Sequence, residues 1–278
     1  MKLKHKTYSL AEAFGPGFPT GLSVTGYEPS NCRFVPRLEL SYRWDRTLLR
    51  DLVVWWEHGG CDPVHLFGPT GSGKSSALRN FCGALKIPMY EHRPHRPIAR
   101  HQSLQGQPLC MHLGGLDPVD PAPGFRIAMT GNSAMSGDMV GGYVSVRQQD
   151  SAFADRPWFL KVSYPEPAVE EEILSAAVPD LSPPVRTKMI EVANDIRAAY
   201  MGTSSSDAAL PITMSTRSLR RWANLTHLFH GARTASLNPI AYALDRALLY
   251  RVDGQPEVRR AVLELVQGKF GDAHGAFT

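Results

Sequence analysis

The stretch "LFGPTGSGKSSALRNF", residues 66–81, carries the residue types needed to hold a phosphate. Gly68, Pro69, Thr70, Gly71, Ser72, Gly73, Lys74 and Ser75 fit G-x-x-x-x-G-K-[ST] in full, and Ser76 extends the run. The glycines let the backbone curl until successive N–H groups face one anion. A helix that starts there adds the positive end of its dipole to the same point. Lys74 has the reach to neutralise β- and γ-phosphates, and the Ser75 hydroxyl suits a Mg²⁺ ligand. The implied ligand is ATP with Mg²⁺.

Breaking the phosphate bond needs an acid at the end of a neighbouring strand to hold the metal, and usually a second one to polarise water. Between residues 76 and 131 the acids are Glu91, Asp117 and Asp120. None closes an apolar run as Asp-Glu or Asp-Asp. Asp117 and Asp120 follow "LCMHLGG" and read as turn carboxylates. Other parts of a catalytic set are present. Asn132 ends the apolar run "FRIAMTGN", where a polar side chain orients attacking water; the alternative is an Asn in a tight turn. Arg156 precedes "WFLKV" and suits a charge that reaches a neighbouring subunit's γ-phosphate. Arg217 opens the helical pattern "STRSLRRWANL". A basic, histidine-bearing stretch holds His92, His95 and His101, with Cys110 and His112 nearby, but its spacing matches no zinc pattern.

These side chains must be positioned by a recognisable set of elements. "RTLLRDLVVWWEH" (46–58) has Leu48, Leu49, Leu52, Val53 and Trp56 at helical spacing. "VHLFG" (64–68) is a short strand of buried type that feeds the glycine loop, and residues 74–85 continue as a helix. "IPMYE" (87–91) and "WFLKVSYP" (158–165) are expected strands. "FRIAMTGN" (125–132) is expected as a buried strand. A hairpin is expected around Gly114 and Gly115. Residues 1–44, rich in Gly, Pro and aromatics, read as an extended lead-in with little helix. After Ala168 the patterns turn helical, with Ser215 and Asn238 as expected caps and 202–209 as a loop. The expected organisation is a lead-in (1–44), an α/β nucleotide-binding domain (45–167) shortened around 92–108, and an all-helical domain (168–278).

The 278 residues suffice for one large domain or two modest ones. A 43% hydrophobic and 20% charged composition is that of a globular chain, not of a disordered one. A net charge of +4 is too weak by itself to argue for nucleic acid. Cys32, Cys61, Cys82 and Cys110 form no C-x-x-C pair and read as free thiols of a reducing compartment. No apolar run approaches a membrane span, and "MKLKHKTYSLAEAFG" lacks the apolar centre of a signal peptide. A cytoplasmic location is expected.

Taken together, four stretches resemble the AAA+ ATPases, and within them the MoxR-like branch that includes the ATPase subunit of cobaltochelatase (the dynein-related AAA group). They are "GPTGSGKSS", "PGFRIAMTGNS" as the sensor-1 strand, "GDMVGGYVSVRQQDSAFADRPWFLKVSYPEP" ending in the arginine finger, and "STRSLRRWANL" as the sensor-2 helix. "QPLCMHLGGLDPVDPAPGF" looks like the hairpin before sensor 1 in that branch. The resemblance covers roughly residues 8–250. It implies a parallel P-loop NTPase sheet flanked by helices, followed by a small all-α lid. It implies an oligomeric ring, commonly a hexamer, with nucleotide between subunits and Arg156 acting in trans. Members remodel partner proteins, often with a partner bearing a von Willebrand A domain. The departure is length. Ser75 and Asn132 are 57 positions apart (132 − 75), too few for the acidic strand and its helices. An internal deletion of that strand is the reading this suggests. Two functions stay open: an ATPase that remodels a partner, and a non-hydrolysing nucleotide-binding adaptor subunit of a ring. A DNA-transaction ATPase has only the mild basic charge in its favour.

Overall fold

The computed structural model describes residues 3–39, 41–91, 124–135, 151–202, 210–230 and 238–271. They form two compact units. One comprises Met1–Pro69 with Gly73–Ser163, the other Thr70–Ser72 with Tyr164–Thr278. The hairpin around Gly114, Asp117, Asp120, the His92–His112 cluster and the 203–209 loop lie outside the described residues.

In the first unit β1 (His5–Ser9) pairs antiparallel with β2 (Ser23–Tyr27), and the short α1 (Leu10–Phe14) lies between them in sequence. The lead-in is therefore more than an extended arm. Tyr8, Leu10 and Val24 are buried in one core with Leu48, Leu49, Leu52, Trp55, Val64, Leu66 and Phe81. This pairing joins segments with no sequence signature for each other, and it is sealed by the Tyr27 amide donating to the Leu85 carbonyl. The helix α2 (Arg46–His58) starts at Asp45, whose carboxylate accepts from the Leu48 amide. Its buried face is Leu48, Leu49, Leu52 and Trp55. Val53 and Trp56, also expected on that face, are only partly buried.

The central strand is β3 (Val64–Phe67), followed by the glycine loop and α3 (Lys74–Ala84). It is flanked on both sides by parallel partners, β4 (Ala128–Gly131) and β5 (Trp158–Lys161), in the order β4-β3-β5. A four-residue helix, α4 (Ser151–Ala154), precedes β5. The register sets Phe67 level with both Gly131 and Lys161. Two expectations fail here. Residues 87–91 form no strand: Pro88 has no N–H to give a ladder, and the Met89 amide bonds once, to the Phe34 carbonyl. Nor is 125–132 a buried strand. Ladder pairing covers only Ala128–Gly131, and Ala128 and Thr130 are exposed, because β4 pairs on one side only among the described residues.

The second unit is helical: α5 (Pro167–Ala177), α6 (Pro183–Tyr200), α7 (Thr216–Phe229), α8 (Pro239–Ala247), a 3-10 turn (Leu249–Val252) and α9 (Pro256–Phe270). Ser215 caps α7 by accepting from Ser218, and Asn238 caps α8 by accepting from Ile240 and Ala241. Both were expected. α9 was not singled out in advance, although Pro256 at its first turn and Gly271 just past its end are the usual signals. The core centres on Trp222, Leu219, Met189, Ile196, Leu244 and Val266. A buried ion pair ties three helices together. Glu170 on α5 accepts from both terminal nitrogens of Arg197 at 2.8 Å and from the Thr216 hydroxyl at 2.9 Å. The Arg197 Nε donates to the Met214 carbonyl at 2.7 Å. No helix among the described residues is long and apolar enough to cross a membrane.

Candidate functional site

Three parallel strands end at one level, and ligands in such sheets gather at the carboxyl edge. Gly68 leaves β3 there with φ +145. A Cβ on it would lie 2.0 Å from the Val162 carbonyl oxygen, so only glycine fits beside the end of β5. Gly71 and Gly73 have φ +76 and +94, which other residues rarely adopt. Gly73 is also the residue at which α3 begins, and no side chain caps that helix. Its first amides are left for another acceptor, unlike those of α2 and α7.

Lys74 turns its ammonium back onto the loop, donating to the Gly68 carbonyl at 2.8 Å and the Pro69 carbonyl at 2.7 Å. Burial pulls it down to about 8. Ser75 is exposed, while the Ser72 hydroxyl is buried with no hydrogen-bond partner. In the first unit, a cation held by the Gly68 and Pro69 carbonyls and the uncapped amides of α3 fit an anionic oxygen ligand. Within the second unit, the Tyr164 hydroxyl donates to the Thr70 carbonyl at 2.9 Å, and Gly71 lies so close to Ser215 that a Cβ would come within 2.3 Å of its Cβ.

Asn132 is exposed and follows Gly131, hence sits where β4 ends, level with the start of the loop. The structure thus brings Gly68–Ser76 and Asn132 to one edge of the sheet. It does not bring Arg156 there. Arg156 precedes Trp158, which is level with Val64, so it lies at the opposite edge. One of its terminal nitrogens is buried with no hydrogen-bond partner among the described residues. Arg217 is exposed in the first turn of α7, in the second unit, one residue beyond Thr216 of the buried ion-pair network. Glu91, the described acid of the 76–131 interval, is ion-paired with Arg79 on α3. Among the described residues no group of three His, Cys, Asp or Glu side chains could hold a metal ion. Cys32, Cys61 and Cys82 are free.

Sequence reasoning passed over two residues beside this edge. Tyr42, from the lead-in, lies against Gly73 and packs edge-on to Trp44 at 4.9 Å; burial raises its hydroxyl above the ordinary range. His65 on β3 is buried, with its Nε2 3.0 Å from the Ser133 carbonyl. The only signal for His65 was a polar residue inside an apolar four-residue strand.

A parallel sheet with a glycine loop and an uncapped helix at its carboxyl edge, followed by a helical unit, is compatible with an AAA+ fold and its helical lid. Residues 170–268 match the family model described as CbbQ/NirQ/NorQ C-terminal. That is a domain of MoxR-like AAA+ ATPases, in agreement with the branch that the loop and the later motifs resemble. The match begins at Glu170, the buried acid of the α5–α6–α7 network, and ends in α9. Proteins of this class usually assemble as rings. Among curated proteins no match is found.

Proposed function

We propose that the chain binds ATP·Mg²⁺ through Gly68–Ser76 and couples nucleotide state to remodelling of a partner protein. The observation that carries this is the loop itself: positive-φ glycines, a buried Lys74 held by loop carbonyls and an uncapped α3 converge at the carboxyl edge of the sheet. Mg²⁺ supplies positive charge to the transferring phosphoryl group. Ser75 would hold it, and Lys74 would neutralise the β- and γ-oxygens. Asn132 positions water from the neighbouring strand end. Arg156, at the far edge, suits a role on another subunit's nucleotide, and Arg217 one near the phosphates from α7. The family resemblance, not the geometry, suggests a ring with the nucleotide between subunits and a partner of the von Willebrand A type. Calorimetry with ATP·Mg²⁺ tests the grip: Lys74→Ala is expected to abolish binding, and retained affinity refutes it.

A second reading is favoured by Glu91. It is taken up by Arg79, so the described part of the 76–131 interval offers no free carboxylate for the metal. On that reading the chain is a nucleotide-binding adaptor that does not turn over. A phosphate-release assay separates the two, since only the first predicts release.

A further inference from the structure

His65 lies three residues before the glycine loop, on the face of β3 that it shares with Phe67. Its ring meets Phe159 edge-on at 5.6 Å. A carbonyl oxygen can only accept, so the 3.0 Å contact with Ser133 places the proton of a neutral ring on Nε2. Nδ1 is then a bare acceptor, buried with no hydrogen-bond partner among the described residues. Burial and the nearby Lys74 charge both lower the ring's basicity and keep it neutral, against the opposing pull of the Ser133 carbonyl.

The end of β4 is shaped to this ring. Gly131 has no positive φ, so it is not glycine for backbone freedom. A Cβ there would stand 2.7 Å from Cε1 and 2.9 Å from Nε2 of His65. The bend that follows is pinned at two points just after Asn132. Ser133 is held by the histidine. Met135 is driven into the left-handed region, φ +65, and buried with Phe153 against Ile127 and Met129. A methionine in that conformation is strained, so the surroundings hold it there. Asn132 stands exposed immediately before the two anchors.

We propose that His65 is a positioning residue: through Nε2–H to the Ser133 carbonyl it fixes the bend that presents Asn132 beside the glycine loop. The role rests on the reading of Gly68–Ser76 as a nucleotide grip. One side chain thereby ties the strand that feeds the loop to the bend that carries the water-positioning amide. Neither the length of the 64–67 strand nor its apolar neighbours requires a histidine at this position.

The test is amide hydrogen exchange by mass spectrometry on the full chain, with and without ATPγS·Mg²⁺, in wild type, His65→Gln, His65→Phe and His65→Leu. Gln keeps a donor at similar reach; Phe and Leu remove it with different shapes. Exchange in the 131–135 peptide should rise about tenfold in Phe and Leu, with the α7 peptide unchanged as the internal measure of folding. ATPγS should protect the 66–76 peptide in every variant. It should protect the bend only in wild type and Gln. Phe or Leu variants with a protected bend overturn the role, and so do variants that lose protection of the loop itself. A wild type in which ATPγS protects neither peptide overturns the nucleotide reading and this role with it.

Discussion

Lys74 makes ATP affinity depend on pH in a range where most lysines are silent. Burial lowers its ammonium to about 8, whereas an unperturbed lysine titrates near 10.4. A triphosphate bound within a few ångströms lifts it back, because an opposite charge favours the protonated form. Binding above about pH 8 must therefore take up a proton, and affinity must fall as pH rises. Between about pH 7.5 and about 9.5 the charged fraction of a group titrating at about 8 drops from about three quarters to about 3%, which is roughly 25-fold in affinity or ~1.9 kcal/mol. Below about pH 7.5 the curve should flatten. Calorimetric or fluorescence titration with ATP·Mg²⁺ across that range reads the effect. Lys74→Arg supplies the control, since a guanidinium keeps its charge throughout and its profile should be flat, even if its affinity starts lower. Global stability is a poorer readout. Desolvation of Lys74 is relieved as pH rises above about 8, which raises stability. Burial pushes the Cys82 thiol up to about 12, so that group works in the opposite sense once an unfolded thiol begins to ionise. A wild-type affinity that stays level from about pH 7.5 to about 9.5 would refute a buried lysine as the phosphate's counter-charge.

Arg197→Met leaves Glu170 fully buried without its cation, and the second unit should lose about 3–5 kcal/mol in urea unfolding, part of which Glu170→Gln in the same chain should restore. Gly68→Ala sets a methyl 2.0 Å from the Val162 carbonyl at φ +145 and should abolish nucleotide binding, while Gly17→Ala, with nothing within 4 Å, should change stability by less than about 0.5 kcal/mol in the same assays. If wild type releases phosphate, Asp117→Asn or Asp120→Asn should stop release without weakening ATP binding; release that survives both substitutions excludes the two acids as the metal carboxylate.

The unequal legibility of the sequence has physical causes. The loop was readable because its function needs a fixed run of backbone conformations, which only glycines at fixed spacing supply. The caps at Ser215 and Asn238 were readable because capping is local: donor and acceptor lie two or three residues apart. What stayed hidden depends on partners distant in sequence. The β1–β2 pair needs a register that short polar strands do not encode. "FRIAMTGN" has the apolar content of a buried strand, but burial depends on how many neighbours a strand has, and β4 has one described neighbour. His65 looked like an irregularity in an apolar run until Gly131 and Ser133 were set opposite it. Arg156 was correctly seen as preceding a strand, yet only the parallel register shows that this puts it at the far edge from the loop.

The register also narrows where a metal carboxylate can enter. Both ladders of β3 are filled, by β4 and by β5, so no further strand can pair beside the loop-bearing strand. An acid delivered on a strand would have to come along the outer side of β4 or of β5. At the β5 side it would stand one strand away from Lys161, which is level with Phe67. At the β4 side it would stand one strand away from Gly131 and next to Asn132, the amide proposed to hold the attacking water. The second placement would put the metal ligand on the same flank as the amide proposed to hold the water. Among the described residues the end of β4 is held by His65 and by the Met135 cluster, not by a second ladder.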